Sequence, residues 1–138
     1  TKKEKDRQAT FYFGENLGMA FQIKDDLFDL LGNENDTGKN NGGDVKRNMA
    51  TLPLIFSKNN MPRSAYKKLK KLLDMKKKSR SVISQIVQII EETGGVDYAR
   101  RKLDEYSQKA IESILPYPDT PIKQSMLDLV DFNASRVK

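Results

Sequence analysis

From about Lys5 to Leu31 the apolar residues Phe13, Leu17, Ala20, Leu27 and Leu31 fall at helical spacing, and no other feature constrains the fold as much. Gly14 and Gly18 lie four apart inside this run. They lower helix propensity but leave one face thin enough for another helix or a ligand to approach. Gly32 supplies a stop. A polar segment follows from Gly32 to Asp44, with Gly38, Gly42 and Gly43 among Asn and Asp residues. It has little apolar surface to anchor it and is expected to be mobile unless a ligand orders it.

The remainder reads as further helices joined by polar turns. One is predicted to begin near Asn48, to contain Thr51-Leu52-Pro53-Leu54 and to end before Asn59-Asn60, with Pro53 near its first turn. Pro62 starts another, through about Asp74. Ser79 or Ser81 caps a third, running to Glu92 with Val82, Ile83, Ile86, Val87, Ile89 and Ile90 as its apolar side. Gly94-Gly95 breaks the chain, and a helix from about Val96 to Leu115 is ended by Pro116 and Pro118. Thr120 then caps a last helix with Pro121 at its first position, running to about Ser135. Without an internal repeat or an alternating strand pattern, residues 1–138 read as a single all-α region.

Composition removes several chemistries. Cysteine and histidine are both absent, which excludes a disulfide framework, a Cys/His zinc site and a Ser–His or Cys–His nucleophile pair within this chain. Catalysis must run on carboxylates, lysines, hydroxyls, the backbone or a bound metal. No apolar run approaches the roughly 20 residues needed to cross a bilayer, and no signal-like stretch follows the N-terminus. A cytoplasmic location is therefore expected. The net charge of +6 is concentrated from Arg63 through Lys67, Lys68, Lys70, Lys71, Lys76, Lys77 and Lys78 to Arg80. A solvated helix face and its following loop account for that run. The alternative is a basic helical module that binds nucleic acid or anionic lipid, though Tyr66 is the only aromatic residue interleaved with the charges.

The informative segment is Phe21-Gln22-Ile23-Lys24-Asp25-Asp26-Leu27-Phe28-Asp29. On a helix, Gln22, Asp25, Asp26 and Asp29 form one stripe at i, i+3, i+4 and i+7. Phe21, Ile23, Leu27, Phe28 and Leu30 flank it and are expected to be buried. Three carboxylates on one stripe repel each other, and only Lys24 lies nearby to balance them. A divalent cation with hard oxygen ligands relieves that repulsion, although the spacing taken alone fits an ordinary exposed face better and needs a phosphate partner nearby. Mg²⁺ characteristically takes one or two carboxylates and completes its shell with water and phosphate. Within one loop, Gly38-Lys39-Asn40-Asn41-Gly42-Gly43-Asp44 offers a lysine, exposed backbone amides and another carboxylate. Lys39 can place a compact charge on a diphosphate oxygen. The loop is not a Walker A sequence, and taken alone it reads more readily as a flexible Asn/Gly connector.

In combination these segments resemble the trans-isoprenyl diphosphate synthases, the polyprenyl synthetase family. Phe21 to Asp29 is similar to its second aspartate-rich motif, and Gly38-Lys39, Gly42, Asp44 and Thr51-Leu52-Pro53 follow in the family's order and spacing. Gly94-Gly95-Val96-Asp97-Tyr98-Ala99 and the final helix resemble the C-terminal region of long-chain members, the octaprenyl type in particular. The resemblance implies the C-terminal part of an isoprenoid-synthase helical bundle. It further implies Mg²⁺ held by Asp25, Asp26 and Asp29, and an allylic diphosphate contacted by Phe21, Gln22, Lys39 and Asp44, with Asp25, Asp26 and Lys39 in catalytic roles. Isopentenyl diphosphate would be the second substrate, the parent a homodimer, and nucleic acid no partner. The family's first aspartate motif and its isopentenyl-diphosphate-binding basic residues lie upstream of what Thr1 begins, so this span by itself is expected not to turn over. Met49 stands where relatives place a lysine, with Lys46 or Arg47 as substitutes, which also leaves room for a non-catalytic subunit of a heteromeric synthase. Arg136-Val137-Lys138 reads as a frayed, solvated end rather than one folded over a diphosphate, as basic tails do in some relatives.

Overall fold

The computed structural model describes residues 1–31, 45 and 50–136. Among them lie six helices: α1 (Lys2–Leu31), α2 (Leu52–Asn59), α3 (Arg63–Leu73), α4 (Arg80–Glu92), α5 (Gly95–Ile114) and α6 (Pro121–Ser135). No strand occurs among the described residues, as the periodicity requires. The expected polar loop from Gly32 to Asp44 lies outside them. The chain divides into two compact units, one of Thr1–Lys24 with Arg101–Val137 and one of Asp25–Arg100. None of the described helices is long and apolar enough to cross a membrane.

In the first unit, Phe13, Ala110, Ile114 and Val130 form a buried cluster, with Leu17, Ile111, Met126 and Leu127 packed against it. Thr120 caps α6 as its sequence position requires, its hydroxyl accepting from the Lys123 amide at 3.2 Å, with Pro121 following in the first turn. Lys123 is buried, and its ammonium donates to the carbonyls of Leu115 (3.0 Å) and Tyr117 (2.7 Å) and to Asp119 Oδ1 (3.0 Å). Carbonyls in the turn just after α5 are thereby satisfied by a cation, the favoured charge near a helix C-terminus. The thin face at Gly14 and Gly18 is not used by the described residues. A Cβ added at either glycine meets nothing within 4 Å.

The Tyr117 hydroxyl donates to Asp6 Oδ1 at 2.9 Å. These two side chains line a cavity of about 260 Å³ with Thr10, Ile114, Ile122 and Met126. The bond to Asp6, followed by burial and the carboxylate's charge, raises the phenol above its ordinary 10.0. The neutral phenol is the stabilised form, so its contribution is complete below pH 10 and fades as the pH climbs through the raised value. Spectroscopic titration should show a late tyrosinate phase that Tyr117→Phe removes. Its persistence in that variant would assign the phase to another tyrosine.

In the second unit α4 packs against both α2 and α3. Leu69, Ile86 and Ile90 are completely buried there, each contributing roughly 1.5–3 kcal/mol by leaving water. Of the two candidate caps for α4, Ser79 is the one used, its hydroxyl accepting from the Val82 amide at 3.3 Å. Helix α2 starts at Leu52, later than the expected Asn48, with Ala50 non-helical and Thr51 extended. Pro53 gives the reason: inside a helix its ring would collide with the carbonyl four residues back, so a helix begun at Asn48 could not pass it. Asn59 is still helical, one residue past the expected end. On α3 the lysines face solvent opposite Leu69 and Leu73. Lys78 is the exception to the solvated run, buried with its ammonium on the Met75 carbonyl at 3.0 Å.

The two glycines after α4 have separate tasks. Gly94 has φ +85°, a left-handed conformation that ends α4. Gly95 already belongs to α5 and is buried where that helix meets α2. A Cβ there would collide with the Pro53 carbonyl and lie 2.5 Å from the Ser57 hydroxyl. Ser57 is fully buried, bonded to Thr93 Oγ1 at 2.8 Å and to the Ile90 carbonyl at 3.4 Å. Tyr98 then stacks on Phe56, ring centroids 4.3 Å apart, while Val96 and Ala99 point inward. The Gly-Gly-Val-Asp-Tyr-Ala segment is thus a docking element for α2.

Candidate functional site

Helix α1 is continuous from Lys2 to Leu31, so Gln22, Asp25, Asp26 and Asp29 do share one stripe. Phe21 and Gln22 belong to the first unit and the three aspartates to the second. Ile23, Leu27 and Leu30 are buried beside the stripe, as expected. Asp25, Asp26 and Asp29 are themselves half-buried, while Gln22 is exposed. Burial of Phe21 does not occur. It is 46% exposed, and the guanidinium of Arg136 lies over its ring at 4.1 Å. Phe21 sits away from the buried Ile23–Leu27–Leu30 line and needs that partner to cover its face. Phe28 is only half-buried.

None of Asp25, Asp26 and Asp29 lacks an interaction partner. Asp26 Oδ2 lies 3.5 Å from the amide of Leu52, the first residue of α2. Thr51, the α2 N-cap, makes no side-chain cap bond of its own. A carboxylate beside a helix N-terminus is stabilised by the partial positive charge of the unpaired amides there. Sequence reasoning missed this contact. Its available signal was a Thr-Leu-Pro helix start downstream of an acidic stripe.

Lys39 and Asp44, with Gly38, Gly42, Lys46, Arg47 and Met49, fall outside the described residues. Among the described residues no group of three or more acidic side chains converges to hold a metal by itself. Mg²⁺ keeps several waters and binds through one or two carboxylates plus phosphate. All available donors here are hard carboxylate oxygens with no imidazole or thiolate in the chain, again the Mg²⁺ preference.

The polyprenyl synthetase family model matches residues 1–90, and the chain belongs to that family. It is 31% identical over 121 residues to the probable mitochondrial hexaprenyl pyrophosphate synthase of Neurospora crassa, covering 88% of this chain and 26% of that protein. Its fold is similar to geranylgeranyl pyrophosphate synthetase of Pyrococcus horikoshii, with a TM-score of 0.90 and 26% identity over 97% of this chain and 40% of that one. Polyprenyl synthase of Caulobacter crescentus, solved with calcium and isoprenyl diphosphate, is similar at a TM-score of 0.83 and 26% identity, covering 94% of this chain and 39% of that one. The sequence therefore spans about a quarter to two-fifths of the length of these relatives.

Proposed function

We propose that the complete protein is a Mg²⁺-dependent prenyltransferase that joins an allylic diphosphate to isopentenyl diphosphate, giving a longer all-trans polyprenyl diphosphate. The observation that carries this reading is the row of half-buried carboxylates at Asp25, Asp26 and Asp29, inside the stretch matched by the family. Asp25, Asp26 and Asp29 would hold the cation, which supplies neutralisation of the diphosphate leaving group when bound. Helix α1 keeps the three carboxylates in one row, and Asp26 is steadied by the start of α2. Lys39 would add a charge-assisted contact to the same diphosphate, with Asp44, Gln22 and Phe21 lining the substrate. The allylic C–O bond breaks with both electrons leaving on diphosphate. The double bond of isopentenyl diphosphate attacks the resulting cation, a C–C bond forms, and a proton passes to the departed diphosphate. No histidine is required, in agreement with its absence.

In this reading the chain by itself does not turn over, because isopentenyl diphosphate is bound by residues outside it. The parent is a homodimer working in the cytoplasm. Calorimetry with inorganic diphosphate tests the site. Binding should require Mg²⁺, vanish in Asp25→Ala and weaken about tenfold in Lys39→Ala, the loss of one charge-assisted bond. Unchanged binding in both variants would refute the assignment. Salt-sensitive affinity for nucleic acid in place of diphosphate binding would favour the basic-module alternative.

A further inference from the structure

Two hydrogen bonds join the end of α6 to Phe21 and Lys24 of α1, two more fix Arg136 on α6 itself, and the proposed chemistry uses none of them. The Lys24 ammonium donates to the Ala134 carbonyl in the last turn of α6 at 2.8 Å. Arg136 is the α6 C-cap, extended at φ −60°, ψ 135°, where the chain turns out of the helix. Its Nη2 donates to the Phe21 carbonyl at 3.3 Å and its Nε to Asn133 Oδ1 at 3.0 Å, while its backbone amide closes on the Phe132 carbonyl at 2.8 Å. The guanidinium stacks over the Phe21 ring. Asn133 is 2% exposed, so the group that orients Arg136 is itself held by packing. Arg136 was expected in a frayed, solvated end, and it is anchored instead.

We infer that Lys24 and Arg136 are positioning residues that latch the end of α6 onto α1 at Phe21 and Lys24, the turn that leads into the aspartates. Both cations complement the negative end of α6. Lys24 reaches α6 from within the motif, and Arg136 touches the motif at Phe21. The Phe21 carbonyl taken by Arg136 is the one whose helical bond comes from the Asp25 amide, by the i to i−4 rule. Arg136 therefore adds a second donor to the carbonyl that closes this helical turn. A planar guanidinium can stack on the ring and reach the carbonyl together, which a lysine ammonium cannot reproduce. Phe21 on this account presents its ring to Arg136 as well as its backbone to the helix. The positioning claim rests on the diphosphate reading, whereas the latch contact does not.

Two measurements on the full-length protein decide it. Hydrogen exchange at the amides of residues 22–29 should quicken in Arg136→Ala and Lys24→Met, and less in Arg136→Lys. The Mg²⁺ concentration for half-maximal binding of inorganic diphosphate should rise about fivefold to tenfold in Arg136→Ala, with Arg136→Lys between it and the wild type. Thr120→Ala, which loosens the opposite end of α6 by removing its cap, controls for general destabilisation and should leave that midpoint unchanged. Unaltered exchange in Arg136→Ala would overturn the latch. Faster exchange with an unmoved Mg²⁺ midpoint would overturn the positioning role, as would an equal shift in Thr120→Ala. A wild type that binds no diphosphate would overturn the functional reading and the positioning role with it, leaving the latch decided by exchange.

Discussion

Gly95→Ala is expected to destabilise the fold by about 3 kcal/mol, near the upper end for overpacking a filled site. The added methyl has no direction in which to go. Its Cβ would press on the Pro53 carbonyl, stand 2.5 Å from Ser57 Oγ and 3.0 Å from Ile90 Cγ2. The first obstacle is backbone near the start of α2, and the second is a hydroxyl already committed to Thr93 and Ile90. Relief requires α5 to move off α2, which also separates Tyr98 from Phe56. Thermal unfolding by circular dichroism should fall by roughly 10 °C or more. Gly94 offers the contrast, because a Cβ there meets only the Phe56 ring edge at 3.6 Å, an ordinary contact. Gly94→Ala should cost only the left-handed backbone strain, about 1–2 kcal/mol. A Gly95 variant no worse than the Gly94 one would refute the close-packing account.

Under the proposed function, the largest effect on activity is expected at Asp26. In the complete protein Asp26→Asn should lower turnover about a hundredfold to a thousandfold, the scale for losing one electrostatic partner of a leaving group. The amide oxygen of asparagine can still accept from Leu52, so the fold should be nearly unchanged. Asp26→Ala removes that acceptor as well, and α2 has no side-chain cap at Thr51 to replace it. The alanine variant should therefore lose about 1 kcal/mol more stability than the asparagine variant. Steady-state assays and thermal melts on the two variants separate the roles. Full activity in Asp26→Asn would end the metal assignment. Equal stability in both would show that the contact to the α2 start contributes nothing.

Most helix positions were legible because their punctuation is local. Ser79, Thr120 with Pro121, and Gly94 each act on neighbours a few residues away, and each sits where the sequence places it. The carboxylate row was legible for the same reason, since helical spacing alone puts Asp25, Asp26 and Asp29 together. What escaped was every feature that depends on a partner distant in sequence. Phe21 fits an apolar pattern locally, yet its environment is set by Arg136, 115 residues away. Asp26 looked like part of a repelling cluster because the amide of Leu52 is invisible from the helix pattern. Gly94 and Gly95 looked like one break, and only the approach of Pro53 and Ser57 separates a turn glycine from a packing glycine.

The buried Lys123 has a consequence for covalent labelling. Acylation of a lysine, by an enzyme or a reagent, needs an amine that can present a free electron pair to the acyl carbon. The exposed amines of Lys67, Lys68, Lys70 and Lys71 can do so. The Lys123 side chain is 10% exposed, and its ammonium protons point at two carbonyls and a carboxylate. An amine-directed footprint would mark the outer face of α3 densely and pass over Lys123. Modification there would first require the α5–α6 turn to open, so its appearance would time that opening.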